Sequence, residues 1–184
     1  LSLEYTLRDD LVWSGGDMVR ATDVVFTHDW IADPVTGSNW FTDSKGIESV
    51  KAVDVYKVRF QFKESRNKLL QQGYTFRGLL SEHAYGEVAR AGLRGDPIGR
   101  MPPASGPWVV STWLPNERLI FRANPQAPQS LKPNLNQLVV RVLPEYSTRL
   151  LELEQGKADL LPYLEVGDVE RLEALPNLRI ERVE

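Results

Sequence analysis

Two histidines, His28 and His83, are the only imidazoles in the chain, and they lie 55 positions apart. His28 with Asp29 and Asp33 has the residue types of a metal cluster, but the spacing fails. Asp33 falls one position beyond the favourable i+4 neighbour of His28, and no second histidine is near. His28 therefore reads as a helix-surface histidine beside a capping-type aspartate, and no metal site is expected. A Ser-His-Asp set can be chosen from most chains this long, yet no G-x-S-x-G elbow occurs to expose a serine nucleophile. Gly15-Gly16 lacks the lysine and the spacing of a phosphate loop, so turn geometry explains it better. Glu152 and Glu154 stand two apart on a helix and point away from each other, as a solvated face would. No catalytic residue and no cofactor are expected.

Five tryptophans carry more promise, because flat side chains line binding clefts at little ordering cost. Trp13, Trp30, Trp108 and Trp113 fall within elements that pattern as core, and packing accounts for them. Trp40 and Phe41 instead form an apolar island in the polar stretch from Thr36 to Lys45, which makes them candidate ligand contacts.

Bulk properties narrow the class. A chain of 184 residues, 42% hydrophobic and 26% charged, is ordinary for a folded globular protein. Its formal charge of −3 gives no basic footprint for nucleic acid. No apolar run reaches the roughly 18 residues of a membrane span. The absence of cysteine excludes disulfides and thiolate metal sites.

The elements that would position these residues follow from period and punctuation. Leu3, Tyr5 and Leu7 alternate with Glu4, Thr6 and Arg8, a strand with one buried face. Ser14-Gly15-Gly16-Asp17 is a turn. Thr22 is placed to cap the helix that follows, with Asp23 in its first turn and Asp33-Pro34 as its stop. Ile47–Ala52 and Lys57–Phe62 pattern as a hairpin joined by Val53–Tyr56. Helices are expected from Asn67 toward Leu80, weakened by Gly73 and Gly78, and from Glu82 to Ala91. The Gly-, Pro- and Arg-rich loop from Gly92 to Ser105 is the best internal boundary. Trp108–Trp113 and Arg118–Arg122 then form a second hairpin, and a proline-rich loop covers Asn124–Pro133. Gln137–Leu143 is a strand, and Ser147 caps a helix through Gln155, with Gly156 in the left-handed position beyond it. Asp159–Leu161 is expected as a short strand completing a right-handed βαβ unit. Asp168 caps a last helix ending near Pro176, and Leu178–Val183 is a closing strand.

Several of these segments carry a family signature. LRDDLVWSGGDMVRATDVVF resembles the pattern L-R-x-x-V-x-[FW]-x-[DN]-G-x-P-[VF]-T-A-x-D-V-V-[FY] of the extracytoplasmic substrate-binding proteins of ABC transporters. The family in question binds dipeptides, oligopeptides and, in some members, nickel. Leu7, Arg8, Trp13, Gly16, Val19, Ala21, Asp23, Val24, Val25 and Phe26 stand at matching positions. Met18 replaces the usual proline, and Arg20-Ala21-Thr22 stands where Thr-Ala-x is expected. Ser105-Gly106-Pro107-Trp108 with Trp113 and Asn116–Leu119, then Phe121–Pro125, then Val140–Pro144 with Arg149 and Gly156–Leu160, resemble further family segments in the right order.

The resemblance implies an α/β (mixed α+β) chain, part of a periplasmic-binding-protein-like type II fold with mixed sheets flanked by helices. Residues 1–104 would be a small subdomain and 105–184 part of the N-terminal lobe. Family members run to several hundred residues in two lobes, so the chain is expected to be a fragment lacking its early region and C-terminal lobe. The implied function is capture of a peptide or similar small solute between lobes and delivery to an inner-membrane ABC permease. The implied setting is the periplasm or an extracytoplasmic lipid anchor, with a monomer when full length. By the same resemblance Ser105, Gly106, Pro107 and Trp108 lie near the hinge and cleft and are candidate ligand contacts, although a structural turn explains them equally well. Peptide, nickel complex, sugar, opine and heme all remain open as cargo. A ligand-sensing domain of a regulator or chemoreceptor system is the rival reading; a hydrolase would need a nucleophile and base that the sequence does not offer.

Overall fold

The computed structural model describes residues 2–64, 78–92 and 95–182. Strands β1 (Ser2–Thr6), β2 (Ile47–Asp54) and β3 (Lys57–Phe62) form a sheet in the order β1-β3-β2, antiparallel throughout. The alternation read in β3 is the cause. Val58, Phe60 and Phe62 are buried, while Lys57 and Arg59 face water. That choice of face fixes the register, since a one-residue slip would invert it. Leu3 lies opposite Phe60 and Tyr5 opposite Val58, and the Tyr5 ring meets Phe60 edge-on with centroids 5.9 Å apart. β2 runs two residues beyond the expected end at Ala52, so only Val55 and Tyr56 connect the hairpin.

Helix α1 (Ala21–Ala32) packs Ala21 and Val24 against Ile47, Val50, Val58, Phe60 and Phe62 in one core. Burying side chains such as Phe60 and Phe62 stabilises the fold by about 1.5–3 kcal/mol each. Thr22 is not the cap: it lies inside α1, whose N-cap is Arg20. Asp23 takes over the task, with its carboxylate reaching back to the Arg20 N–H at 2.8 Å. The stop falls where expected. Asp33 Oδ1 accepts the Val35 N–H at 2.9 Å and starts a single 3-10 turn at Pro34.

A short helix α2 (Phe41–Ser44) follows. The helix expected from Asn67 falls largely outside the described residues. The one expected over Glu82–Ala91 shortens to α3 (Glu82–Tyr85), capped by Ser81, with a separate 3-10 turn at Arg90–Gly92. Gly86 and Gly92 disfavour a continuous helix there.

Strands β4 (Trp108–Leu114), β5 (Arg118–Ala123) and β6 (Gln137–Arg141) form a second sheet in that order. Asn124 N–H to the Pro107 carbonyl (2.8 Å) and Ala123 N–H to that of Asn136 (3.1 Å) show both pairings to be antiparallel. Asn116, with φ 62°, supports the tight connection between β4 and β5. Trp13 and Trp30 are buried as expected and Trp108 is half-buried; Trp113 near the outer end of β4 is exposed instead.

The chain divides into two compact units, 1–115 with 119–140 and 116–118 with 141–184. The sequence boundary at 104/105 lies inside the first. In the second unit, helices α4 (Tyr146–Glu154) and α5 (Val166–Glu173) bury Leu153 and Leu172. Gly156 takes φ 67°, the left-handed turn foreseen for it. Four expectations fail here. Ser147 lies within α4, whose N-cap is Glu145, and Asp168 lies within α5, whose N-cap is Glu165. Asp159–Leu161 and Leu178–Arg182 form no strand, so no βαβ unit closes among the described residues. A strand needs a partner edge, and none of the described strands pairs with these segments. Glu152 and Glu154 do point apart, but each is paired, with Arg141 and Arg171 respectively, rather than simply solvated.

Candidate functional site

The signature region is held together by one buried carboxylate. Asp23, on the first turn of α1, is 5% exposed and accepts three N–H donors. Arg20 N–H at 2.8 Å and Trp13 Nε1–H at 3.2 Å reach Oδ2, and Glu82 N–H at 2.8 Å reaches Oδ1. A buried charge is tolerated when its lone pairs are filled in this way. One turn later, Thr27 donates to the Asp23 carbonyl (2.6 Å) and accepts the Leu80 N–H (2.9 Å). Turn, helix and the 80–82 segment are thus tied together. The glycine turn itself closes with Gly16 at φ 103° and Gly16 N–H on the Trp13 carbonyl at 2.8 Å.

Ser14 extends this frame to the segment before Ser105. Its N–H donates to the Ala104 carbonyl at 2.8 Å, and its Oγ accepts the Ala104 N–H at 3.2 Å. From the other side Asn124, 1% exposed, binds the same segment. Its Nδ2 donates to the Gly106 carbonyl at 2.8 Å and its N–H to the Pro107 carbonyl at 2.8 Å, while Oδ1 accepts the Gln126 N–H at 3.0 Å. Two carbonyls of the candidate segment Ser105, Gly106, Pro107 and Trp108 are therefore already engaged by Asn124, leaving that turn fixed in shape. Asn124 was not singled out from the sequence; the Phe121–Pro125 motif that contains it was the available signal.

Trp40 and Phe41 lie elsewhere, at the start of α2, which packs on α1. Trp40 is 50% exposed. Phe41 is half-buried beneath the Lys45 ammonium, 4.8 Å from its ring centroid. The structure thus presents the two candidate groups separately: an aromatic pair at the start of a short helix, and a turn bonded by Asn124 that follows the Ser14–Ala104 pair.

Between α1 and the first sheet lies a hollow of about 300 Å³, lined by Tyr5, Leu7, Val24, His28, Phe60 and Leu79 among others. His28 is half-buried on its wall. Burial pushes its imidazole below the ordinary histidine value, against the opposing pull of Asp29. Chemically this hollow is an apolar recess. Among the described residues no three His, Cys, Asp or Glu side chains are grouped to hold a metal, and no helix is long and apolar enough to cross a membrane.

The scaffold thus holds one turn through Asn124 and leaves Trp40 exposed, and comparison with known proteins identifies the family. The family model for bacterial extracellular solute-binding proteins, family 5 (middle region), matches residues 1–184, and the chain belongs to that family. It is similar to di/tripeptide-binding protein 4 of Pseudomonas aeruginosa, 26% identical over 96% of this chain and 32% of that protein. Among solved structures it resembles MoaA of A. tumefaciens R10, in complex with mannopinic acid, at 31% identity and TM-score 0.78, over 96% of this chain and 35% of that one. It shares its fold with the oligopeptide-binding protein AppA of Bacillus subtilis, in complex with a nonapeptide, at TM-score 0.83 and 21% identity, over 97% of this chain and 35% of that one. The chain spans about a third of the length of these relatives.

Proposed function

We propose that this chain is the greater part of one side of an extracytoplasmic solute receptor. In the complete protein it helps to enclose a peptide or comparably sized polar solute and to hand it to an inner-membrane ABC permease. The observation that carries the reading is the match of the entire chain to a solute-binding family. A di/tripeptide-binding protein, a structure in complex with mannopinic acid and one in complex with a nonapeptide among the relatives support a peptide or other small solute as cargo. Residues 1–104 and 105–184 are taken as belonging to a small subdomain and to the N-terminal lobe. The protein is placed in the periplasm or on an extracytoplasmic anchor, and acts as a monomer without catalysis or cofactor.

Within this reading Trp40 and Phe41 offer apolar contact area to the solute, and the Ser105–Trp108 turn offers backbone groups at a fixed position. Ligand closes the two sides by its greater affinity for the closed form. The test is a thermal-shift screen of the complete protein against defined di- to pentapeptides and opines, followed by titration of the best ligand. Trp40→Ala is expected to weaken binding by about tenfold, with the unliganded melting temperature measured alongside as the control for stability. Unaltered affinity in that variant removes Trp40 from the site, and a screen with no ligand among either class counts against the function.

A further inference from the structure

The second unit pairs its arginines with acids, with one exception. Arg118 meets Glu117, Arg141 meets Glu152, and Arg171 meets both Glu154 and Asp168. Arg179 meets Glu181, and Arg182 meets Glu173. Arg149 has no acidic partner among the described residues. Its Nη1 donates instead to two main-chain carbonyls, Leu143 at 2.6 Å and Pro144 at 2.7 Å. Its Cζ lies 5.7 Å from the centroid of the Tyr146 ring. The side chain is half-buried there, and its Nε and Nη2 donors meet no acceptor among the described residues. A half-buried cation loses part of its hydration, which an anionic partner makes good.

This arginine stands on the wall of a groove of about 550 Å³, a size suited to a small molecule. Leu161, Pro162, Tyr163 and Leu164 make an apolar stretch of the same wall. Tyr163 is 85% exposed, and among the described residues no hydrogen bond or ring contact holds it. Glu165 also borders the groove, but it makes no ion pair with Arg149; its N–H donates to the Tyr146 hydroxyl at 3.1 Å. An anchored guanidinium with spare donors therefore lies beside an apolar surface that carries an unsupported aromatic ring.

We infer that this groove takes the free carboxylate end of a solute on Nε and Nη2 of Arg149, with the adjoining apolar side chain against Pro162 and Tyr163. The planar fork of a guanidinium matches a carboxylate with two parallel hydrogen bonds, and a lysine could not. The two carbonyls already hold the side chain in place, so little ordering cost remains for the ligand to meet. A peptide with an unblocked C-terminus and an apolar last residue has this chemistry. The inference rests on the proposed function, because it names the kind of solute end that one wall recognises.

Calorimetry on the complete protein tests it, with Ala-Ala-Phe as the free acid and as its C-terminal amide. The acid is expected to bind at least about tenfold more tightly, the scale of hydrogen bonds to a charged group. Arg149→Gln should bring the two affinities together. An arginine that only braced Leu143 and Pro144 would instead weaken both alike and keep their ratio, which overturns the inference. Tyr163→Ala should weaken the acid by about tenfold with the melting temperature unchanged. If Arg149→Gln does not fold, the acid-to-amide ratio of the unaltered protein and the Tyr163→Ala variant still decide. Equal affinity for acid and amide overturns the inference and leaves the receptor function standing. So does a Tyr163→Ala variant that melts lower yet binds as before, since other parts of the polypeptide would then cover the groove. A complete protein whose Leu161 and Tyr163 amide signals shift with N-acetylphenylalanine, but which binds no peptide or opine, would refute the proposed function and leave the carboxylate groove standing.

Discussion

Asp23 has a position in the family signature, and the structure gives that position a physical reason. Its carboxylate gathers three N–H donors from three places in the chain. Asp23→Asn puts an amide N–H₂ against donors that need an acceptor. The substitution is expected to destabilise the fold by about 1–3 kcal/mol, read from the midpoint of urea unfolding. His28 sets a pH dependence of opposite origin. Its native value is lowered by burial, so the unfolded chain takes up a proton that the native chain resists. Stability is therefore full above the unfolded value near 6.5 and declines as pH falls below it. Melting temperatures measured between pH 7.5 and 5.5 should fall, and His28→Gln should flatten that slope. An equal slope in the variant would assign the dependence to other groups. Little of this was legible beforehand: sequence spacing placed Asp23 in a first turn, but the Trp13 and Glu82 partners come from distant segments.

At the scale of elements, period and punctuation located most of the regular structure. Alternation in Leu3–Leu7 and Lys57–Phe62 is intrinsic to strands with one covered face, so those segments were readable one residue at a time. Caps were less so. Thr22, Ser147 and Asp168 are good capping residues by type, yet each lies within its helix, because helix starts are also set by what packs behind them. Asp159–Leu161 and Leu178–Arg182 have strand composition but no edge to join among the described strands, a fact that no local pattern contains. Two glycines of the second unit supply a controlled comparison. Gly156 holds φ 67° with open space around it, so Gly156→Ala should cost about 1 kcal/mol through backbone conformation alone. Gly167 lies in the first turn of α5, also with open space, and Gly167→Ala should leave stability unchanged or raise it by up to about 1 kcal/mol. Paired thermal melts check the order; a reversed order would contradict the backbone account.

Across the whole molecule, the family was legible in the sequence because its motifs are long and occur in order. The binding site was not. Trp40 and Phe41 stood out as apolar residues in a polar stretch, and Ser105–Trp108 only through the resemblance. The structure then showed Trp40 exposed and Phe41 half-buried at the start of α2, and the Ser105–Trp108 turn bonded by Asn124 just after the Ser14–Ala104 pair. Contacts that come from other parts of a longer protein leave no mark in this chain beyond the surfaces they would cover. The central claim is that this chain contributes one wall of a solute site and cannot hold the solute unaided. Isothermal calorimetry with one peptide, titrated into the complete protein and into this chain, measures that directly. The account predicts saturable heat from the complete protein and none from this chain at the same concentrations. Comparable affinity in the two would contradict it.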